Sequence, residues 1–395
     1  MNYILFDDGT RDNLLPLTFT RPVAEIRIGI LKISEKWERR LGEKISFLTQ
    51  DYLMCKYPMI SATDNVLING AVLPLPELIT EIHDLKSGQC LRKENVIVAA
   101  RLDDNQLKAF KNGNIGKLEN KTSSVAFIKL EFPWDIFSHN EAAINDDYLL
   151  LTKGRKSAPI SNTNKVTGVD NIFIEEGASV EFSIINAKVG PIYVGKDAEI
   201  MEGCLIRGPL ALFEHSTLKM GAKIYGATTI GPHSKIGGEI SNSVVFGYSN
   251  KAHDGFLGNS VIGEWCNLGA DTNNSNLKNN YGEVRVWNYA QEHYIKSGLQ
   301  FCGLIMGDHS KSAINTMFNT GTVVGVNANI FGAGFPRNFI PSFSWGGTEG
   351  LSTFALTKAY EVASMVMKRR GLVLADCDMQ ILRYIFEHTD KYRHF

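Results

Sequence analysis

The chain has 395 residues, with 41 lysines and arginines against 42 aspartates and glutamates, and a formal net charge of −1. Its 44% hydrophobic and 21% charged residues exclude a largely disordered chain, and the balanced charge argues against a general binder of nucleic acids or membrane surfaces. We find no apolar run near the ~20 residues that span a bilayer, and no signal-peptide pattern. Six scattered cysteines without a Cys-x-x-Cys pair indicate free thiols. We therefore expect a cytoplasmic protein of two or three domains.

Residues 1–155 have the pattern of an α/β domain. Short apolar runs that predict buried strands begin at Tyr3, Asn65 and Asn95. The amphipathic stretch 23–41 predicts a helix. Strands that alternate with helices favour a parallel sheet. The polar residues 152–167 are interpreted as a linker.

A six-residue repeat occupies the middle of the chain. From Val194 onward every sixth residue is aliphatic, and a small residue follows four positions later in most repeats. Aliphatic residues are about a quarter of the chain, so eight consecutive matches have odds of roughly one in 10⁵. A period of six fits neither a helix nor a simple strand, but it fits short strands that turn and coil into a triangular prism. The eight positions are Val194, Ile200, Ile206, Leu212, Leu218, Ile224, Ile230 and Ile236.

The repeat predicts a hexapeptide β-solenoid over residues 168–345. After a shift of register, the inward positions are expected to resume at Val244, Asn250, Phe256, Ile262 and Leu268. After a polar stretch they are expected to return at Met306, Ser312, Phe318, Val324 and Ile330. The pattern resembles the left-handed parallel β-helix of the hexapeptide acyltransferases. The alternative is a solenoid that serves only as a scaffold.

Residues 350–395 change to a helical period. Apolar residues on one face from Leu356 to Met367 predict a helix, with cationic residues in its last turn and Gly371 as its cap. A second helix is predicted over about 376–389. We expect this tail to pack on the end of the solenoid or on a neighbouring subunit, because an open solenoid end needs a cap.

The segment 249–285 carries the residue types that acyl transfer to an amine requires. The reaction needs a base, donors that hold a tetrahedral oxyanion, and polar groups that orient the amine. Histidine is the residue type best suited to act as a base near neutrality, and His253 is the candidate. The alternative is a structural histidine beside solvated asparagine turns. The other candidates are the backbone N–H groups of Gly269 and Ala270 for the oxyanion, and Asn267, Asn276 and Lys278 for a sugar hydroxyl, the amine and a phosphate.

These residues resemble the acetyltransferase domain of the bifunctional bacterial enzyme family that acetylates glucosamine-1-phosphate and then uridylylates N-acetylglucosamine-1-phosphate. The archaeal branch of sugar-phosphate nucleotidyltransferases with acetyltransferase domains is similar as well. The resemblance implies His253 as the base, Asn276 as the residue that orients the amine, and Ala270 as a contact of the oxyanion or of coenzyme A. The motifs that carry it are His253, Phe256, Leu257-Gly258, Ile262-Gly263, Asn267-Leu268-Gly269-Ala270 and Asn276.

The resemblance also implies the contacts of the substrate and of the acyl donor. Asn267, Lys278 and Phe256 would bind the sugar phosphate, and Phe256 lacks the hydroxyl of the tyrosine usual in the family. Acetyl-CoA would be the acyl donor, and it would meet the sugar between the subunits of a homotrimer. Lys311 would either meet a phosphate of coenzyme A or be a solvated lysine. The residues expected to bind acetyl-CoA are Gly269, Ala270, Ser310, Thr320 and Gly321.

The loop after the first predicted strand resembles the signature of sugar nucleotidyltransferases. Gly9-Thr10-Arg11 is followed by Leu14-Leu15-Pro16-Leu17-Thr18 and Arg21-Pro22. A glycine-containing loop after a strand can cradle a triphosphate with its backbone N–H groups. The resemblance implies that Arg11 clamps the phosphates. The residues expected to bind the nucleotide are Gly9, Thr10, Arg11 and Arg21.

This loop departs from the family pattern at several positions. Asp7 and Asp8 replace the first loop glycines, and Ala71 replaces the metal-binding aspartate. Asp7 or Asp8 would then have to supply a ligand of Mg²⁺. A family lysine is Val23 here, so Arg21 or Arg27 would have to replace its charge. The alternative is a degenerate domain that is retained for folding or assembly.

The sequence therefore favours an enzyme of amino-sugar activation with two activities. The solenoid would transfer an acetyl group from acetyl-CoA to glucosamine-1-phosphate, and the N-terminal domain would transfer a uridylyl group from UTP to N-acetylglucosamine-1-phosphate. One alternative is a nucleotidyltransferase with a scaffolding solenoid. Another is a module that binds a sugar nucleotide without transforming it. We expect neither a nucleic-acid partner nor a membrane partner.

Overall fold

The computed structural model describes residues 1–114 and 118–395. These residues form two compact units. The division of the chain into domains at 1–155, 168–345 and 350–395 stays a prediction. The first unit comprises residues 1–14, 20–26 and 31–132, and the second comprises residues 15–19, 27–30 and 133–395.

The first unit is built on a mixed sheet that has six strands within the described residues. Strand Val96–Leu102 runs antiparallel to both of its neighbours, whereas strand Asn2–Phe6 is parallel to both of its own. The prediction of a parallel sheet is therefore wrong in part, because Lys93 and Val96 are joined by a tight turn that only an antiparallel pair allows. The strands are Asn2–Phe6, Ile45–Leu48, Asn65–Asn69, Gln89–Lys93, Val96–Leu102 and Glu119–Thr122. The helices are Thr10–Asn13, Ile33–Leu41, Pro76–His83 and Asp104–Lys111, with 3₁₀ turns at Val23–Glu25 and Asp51–Leu53.

The helix predicted over 23–41 covers only Ile33–Leu41. In the stretch before it, the backbone N–H of Gly29 donates to Oδ1 of Asn140 at 2.7 Å. Gly29 has a φ of 73°, and a Cβ at this position would lie 2.6 Å from the carbonyl carbon of Ala143. The first part of the predicted helix is therefore wrong, because tertiary contacts override the amphipathic pattern there.

The second unit contains a parallel β-solenoid whose coils contribute one strand to each of three sheets. The first sheet has strands Lys165–Thr167, Ile184–Asn186, Leu205–Arg207, Lys223–Tyr225, Glu239–Ser241 and Phe256–Gly258. The second sheet has Ile172–Ile174, Ile192–Val194, Leu210–Leu212, Thr228–Ile230, Val244–Gly247, Val261–Glu264, Ile305–Met306, Val323–Val324 and Phe339–Ile340. The third sheet has Ser179–Val180, Glu199–Ile200, Thr217–Leu218, Lys235–Ile236, Asn250–Lys251, Asn267–Leu268, Lys311–Ser312, Asn329–Ile330, Ser344–Gly347 and the antiparallel Gly350–Thr353. The predicted fold class, an α/β domain followed by a hexapeptide β-helix and C-terminal helices, is confirmed.

Three further features complete the second unit. A short parallel pair, Asn273–Asn274 with Met317–Phe318, continues the solenoid, and the hairpin Arg285–Asn288 and His293–Lys296 is inserted between two coils. The helices are Pro133–Ser138, Asn140–Thr152, Leu356–Lys368 and Asp376–His388, with 3₁₀ turns at Val169–Asn171 and Asp390–Tyr392.

The inward-facing side chains of the solenoid form columns. All eight aliphatic positions predicted from Val194 to Ile236 lie in the buried core, as expected. Stacking of identical positions buries one continuous apolar interior. The column of the second sheet consists of Ile174, Val194, Leu212, Ile230, Val245, Ile262, Met306, Val324 and Ile340.

Beyond Ile236 the predicted register is wrong by one residue for one coil. Ile236 and Ile240 both lie in the core although only four positions separate them, so this corner is shorter than the repeat. The residues that enter the columns in the next coil are Val245, Lys251 and Leu257, where Val244, Asn250 and Phe256 were predicted.

The C-terminal helices, which we call the tail, pack on the last coils. The rings of Phe343 and Phe386 meet edge to face at 5.0 Å between their centroids. The guanidinium of Arg393 lies over Phe386 and donates to its carbonyl oxygen at 2.6 Å. The tail therefore covers part of the solenoid within the same chain. Among the described residues, no helix combines the length and apolar character needed to cross a membrane.

Candidate functional site

A groove of about 770 Å³ follows the outer surface of the third sheet. Its floor is one outward-facing column of that sheet. The register aligns Lys235, Asn250, Asn267 and Lys311 on four successive coils, each one position before an inward residue. Oδ1 of Asn250 is buried and has no hydrogen-bond partner within the described part of the chain. The floor therefore presents polar and cationic side chains, not the aliphatic ones of the interior.

A ladder of stacked rings borders one side of the groove. At the corner between the second and third sheets, five coils place a ring on a residue with positive φ. The rings of Tyr248 and Trp265, both of which line the groove, stack at 4.2 Å. Stacked rings fix the shape of this wall. The ladder consists of His215, His233, Tyr248, Trp265 and His309.

The first helix of the tail forms another wall. Val366, Arg369 and Arg370 line the groove from the end of helix Leu356–Lys368. With the lysines of the floor they give the groove four cationic side chains, and its lining contains no aspartate or glutamate. Burial lowers the pKa of Lys311 to about 8, and its Nζ donates to the carbonyl oxygen of His309 at 2.7 Å. The groove is thus suited to an anionic ligand.

His253 lies at the corner that follows the floor, and its exposed side chain lines the groove. The corner is held from inside the solenoid by Lys251, whose Nζ donates to the carbonyl oxygens of His253 at 2.5 Å and of Asp254 at 2.8 Å. Gly255 closes the corner with a φ of 112°, and a Cβ there would lie 2.3 Å from the carbonyl oxygen of Thr272. The imidazole therefore stands on a tightly fixed backbone.

Gly269 and Ala270 occupy the equivalent corner one coil further on and also line the groove. The N–H of Gly269 donates to the carbonyl oxygen of Ser312 at 3.0 Å as part of the ladder between coils. The N–H of Ala270 makes no such bond with any described residue. Of the two predicted oxyanion donors, only the N–H of Ala270 is thus available.

Phe256 and Asn276 meet each other, but they do not line the groove. Both flank Gly258, where an added Cβ would lie 2.4 Å from Cζ of Phe256 and 2.7 Å from Nδ2 of Asn276. Asn276 also donates to Oδ1 of Asn259 at 2.8 Å. Lys278 lies two residues further on and donates to the carbonyl oxygen of Glu283 at 2.6 Å. These three predicted substrate contacts form a second group.

The remaining predicted contacts of acetyl-CoA also lie outside the lining of the groove. The hydroxyl of Ser310 is buried in the wall of the solenoid and donates to the carbonyl oxygen of Gly325 at 2.6 Å. Thr320 is buried, and Gly321 has a φ of 65° where a Cβ would lie 2.5 Å from the carbonyl oxygen of Arg285. The structure therefore brings together His253, Asn267, Gly269 and Ala270, but not these three residues.

The candidate site of the first unit lies where two parallel strands end. Asp8 follows strand Asn2–Phe6, and Asn69 at the end of the adjacent strand donates to its Oδ2 at 2.9 Å. Nζ of Lys129 lies 3.4 Å from the same oxygen and donates to the hydroxyl of Thr10. Burial alone would raise the pKa of Asp8, but the hydrogen bond from Asn69, the charge of Lys129 and the hydrogen bonds from Thr10 lower it. The carboxylate end of a strand is a common place for ligands in such sheets.

Arg11 and Arg21 are both buried. Nη2 of Arg11 donates to the hydroxyl of Tyr52 at 2.5 Å, and Nη1 donates to Asp12 at 3.0 Å. Gly9 is exposed, with no atom near the place of its absent Cβ. The predicted phosphate clamp is thus engaged within the protein.

The two carboxylates of the loop do not form a seat for Mg²⁺. The oxygens of Asp7 accept hydrogen bonds from the hydroxyl of Thr49 at 2.5 Å and the N–H of Val23 at 2.9 Å. Burial raises the pKa of Asp7 to about 6, although these two hydrogen bonds lower it. Asp8 already has an ammonium group beside it. In residues 1–114 and 118–395, no cluster of three or more His, Cys, Asp or Glu side chains is arranged to hold a metal ion.

Several residues of these sites have no clear signal in the sequence. Lys251 is a lysine in an aliphatic column, and Lys129 is far along the chain from the loop that it contacts. Arg369 and Arg370 appear in the sequence only as the end of a helix. The floor does have a signal, because each of its residues directly precedes an inward position of the repeat.

Comparisons with known proteins match both units. Residues 3–156 match the family described as Sugar nucleotidyl transferase. The chain is 28% identical over 274 residues to the "Bifunctional protein GlmU" of Methanococcus maripaludis strain C5, which covers 68% of this chain and 60% of that protein. It is 30% identical over 149 residues to the "Bifunctional sugar-1-phosphate nucleotidylyltransferase/acetyltransferase" of Sulfurisphaera tokodaii, which covers 37% of each.

Among solved structures, the polySia-specific acetyltransferase NeuO matches 53% of this chain and all of its own, with a TM-score of 0.29 and 13% identity. The chain spans about 60% of the length of the Methanococcus relative. The predicted resemblance is confirmed: residues 3–156 match the sugar nucleotidyl transferase family, and 68% of the chain is similar to a protein named as bifunctional.

Proposed function

We propose that the protein acetylates glucosamine-1-phosphate with acetyl-CoA and then couples N-acetylglucosamine-1-phosphate to UTP. The observation that carries the first activity is the groove in which His253, Asn267 and Ala270 lie together beside cationic side chains. The match of residues 3–156 to sugar nucleotidyl transferases supports the second. The similarity to proteins named as bifunctional supports their combination in one chain.

In the acetyl transfer, His253 would accept a proton from the sugar amine. The amine nitrogen attacks the thioester carbon, and the C–N bond forms as the carbonyl becomes an oxyanion. The N–H of Ala270 would donate to that oxyanion, and Asn267 would orient the sugar. The C–S bond then breaks, and coenzyme A leaves as a thiol with the proton from His253.

In the uridylyl transfer, a phosphate oxygen of the sugar attacks the α-phosphorus of UTP and pyrophosphate leaves. Lys129, fixed between Asp8 and Thr10, would be a cationic group near the end of the strand. Because the carboxylates are already engaged, we propose that any Mg²⁺ arrives with the triphosphate instead of binding first to the protein.

The proposal includes a homotrimer. Phe256 and Asn276 lie outside the groove of their own chain, so their predicted contact with the substrate requires the groove of a neighbouring copy. Cytoplasmic location remains part of the proposal, and it is supported by the free, buried thiols of Cys90 and Cys204.

One incubation tests both activities. The protein is mixed with acetyl-CoA, glucosamine-1-phosphate, UTP and MgCl₂, and the products are read by mass spectrometry, with a parallel sample in EDTA. We expect His253→Ala to abolish the acetylated product and to leave uridylylation of supplied N-acetylglucosamine-1-phosphate intact. His293→Ala, which changes an exposed histidine outside the groove, is the control.

A second pair of variants tests the first unit. Lys129→Met should slow pyrophosphate release by at least tenfold, whereas Lys121→Met on an exposed strand should not. Wild-type protein that uridylylates but never acetylates would support a scaffolding solenoid. Protein that binds UDP-N-acetylglucosamine but makes neither product would support a binding module.

A further inference from the structure

Arg369 and Arg370, at the end of the first tail helix, both line the groove, which helix stability alone does not require. The C-terminal end of a helix favours cations, and Lys368, Arg369 and Arg370 all stand there. Only the two arginines line the groove. Within the described residues neither guanidinium has a carboxylate partner, and Arg369 is exposed.

The positive charge of Arg370 acts on His233, which belongs to the ladder of rings. Burial lowers the pKa of His233, and the charges of His215 and then Arg370 lower it further. Arg370 lines the same groove as Tyr248 and Trp265 of the ladder. Lys235 and Lys311 add charge from the floor, and no acidic residue in the lining offsets it.

This arrangement has the chemistry of a phosphate site. A guanidinium presents parallel N–H donors that match the oxygens of a phosphate, and two adjacent arginines can hold a dianion. The buried Oδ1 of Asn250 adds an acceptor on the floor for a hydroxyl of the same ligand. The two arginines lie beyond the segment 249–285 that carries the family resemblance.

We propose that Arg369 and Arg370 bind a phosphate monoester of a substrate in the groove, so that the tail is part of the acyl-transfer site. The proposal rests on the proposed function for the nature of the ligand. Two substrates carry such a group: coenzyme A at its 3′-phosphate and glucosamine-1-phosphate at its anomeric phosphate. The chemistry of recognition is the same for both.

The test measures binding without turnover. Isothermal titration is carried out with coenzyme A, 3′-dephospho-coenzyme A, glucosamine-1-phosphate and glucosamine on wild type, the double variant Arg369→Gln/Arg370→Gln, and Lys368→Gln. Lys368→Gln removes one charge from the same exposed helix turn but outside the groove. We expect the double variant to raise Kd for one phosphorylated ligand by 10- to 100-fold, and Lys368→Gln to change it less than twofold. The matching ligand without the monoester identifies the source, because its Kd should be the same for wild type and double variant.

Equal affinity of wild type and double variant for both phosphorylated ligands would overturn the inference, and so would an equal loss in Lys368→Gln. Steady-state kinetics of acetyl transfer distinguish a failure of the phosphate site from a failure of the proposed function. If acetylated product forms and KM is unchanged in the double variant, the proposed function stands and the phosphate site is wrong. If the double variant loses affinity but wild type forms no product, the site stands and the transfer is wrong. If wild type binds none of the ligands, both are wrong.

Discussion

Lys251 is a charged residue in a column of aliphatic ones. It lies beside Ile236 in the third sheet, and 2% of it is exposed. Burial lowers the pKa of Lys251 to about 8, so the position is costly for an ammonium group. Its contacts give the reason for its presence, because they fix the carbonyl groups of the corner that bears His253. We interpret Lys251 as a positioning residue.

Lys251→Met should therefore lower kcat of acetyl transfer roughly tenfold with little change in KM, because a shift of the imidazole by a fraction of an ångström weakens proton transfer. Steady-state kinetics and thermal unfolding would be measured together. Ile236→Val, in the same column one coil earlier, should lower stability without changing kcat. Recovery of kcat in Lys251→Arg would support positioning by the charged donor. An unchanged kcat in Lys251→Met would show that the corner needs no such support.

Asp7 makes the stability of the first unit depend on pH. Its folded pKa of about 6 lies above its ordinary value of 3.8, so the folded state holds the proton more tightly. The carboxyl group thus favours folding at low pH, and this contribution is lost as pH rises from about 4 through 6. The difference between these two pKa values corresponds to roughly 3 kcal/mol at most.

Asp7→Asn should remove this dependence, because the amide oxygen keeps the acceptor for the N–H of Val23, and the hydroxyl of Thr49, which donates to Asp7 in the wild type, can turn to accept from the amide nitrogen. Above pH 6 we expect the variant to protect strand Asn2–Phe6 better than wild type does, by up to ~3 kcal/mol in amide hydrogen exchange. At pH 4 the two proteins should be alike. Asp84→Asn, on an exposed aspartate, is the control. Parallel pH profiles for Asp7→Asn and wild type would contradict the expectation.

At the scale of elements, the columns of the solenoid carry its stability. Leu212 is fully buried between Val194 and Ile230, whereas Leu149 on helix Asn140–Thr152 is 69% exposed. Leu212→Ala leaves a cavity and should lower the free energy of unfolding by about 2–5 kcal/mol, while Leu149→Ala should change it by less than about 0.5 kcal/mol. Urea unfolding of both variants measures the difference. Equal effects would mean that the column is able to collapse around the missing side chain.

The sequence predicts the elements best where a single rule governs many residues. The repeat from Val194 to Ile236 is read correctly because each inward side chain faces the same dry interior. The rule fails after Ile236, where a short corner moves Lys251 inward and Asn250 onto the floor of the groove. The six-residue period alone does not reveal a shortened corner. A lysine in the interior is also unexpected, because lysine is a residue type that is almost always exposed.

The candidate sites, like the elements, are predicted from the sequence only where a local rule applies. The candidates of the groove that follow one another in the repeat, such as His253 and Asn267, line the same groove, and their roles stay predictions. The wall formed by Arg369 depends on how the tail packs, which is a long-range contact that no local pattern encodes. In the first unit, the ion pair between Asp8 and Lys129 is likewise set by the fold of the sheet.

At the scale of the whole molecule, the outer face of the first sheet carries exposed apolar side chains beside charged ones such as Lys223 and Glu239. Ile184 and Leu205 occupy one outward column on adjacent coils and are 52% and 46% exposed. Tyr225 lies on the next coil and is 38% exposed, and these residues line a second groove of about 660 Å³. Exposed apolar side chains that adjoin one another are typical of a surface that another chain covers.

If this face joins the copies of the proposed trimer, wild-type protein should sediment at three times the mass of one chain, and Leu205→Glu should sediment as a monomer at micromolar concentration. A carboxylate buried against an apolar face of another copy would have no partner, so it would oppose association strongly. Met365→Glu, which alters an exposed residue of the tail, should remain trimeric. A monomeric wild type would refute the trimer. A trimer that survives Leu205→Glu would place the interface on another face, and then the groove bearing His253 would have to receive Phe256 and Asn276 of its neighbour across that other face.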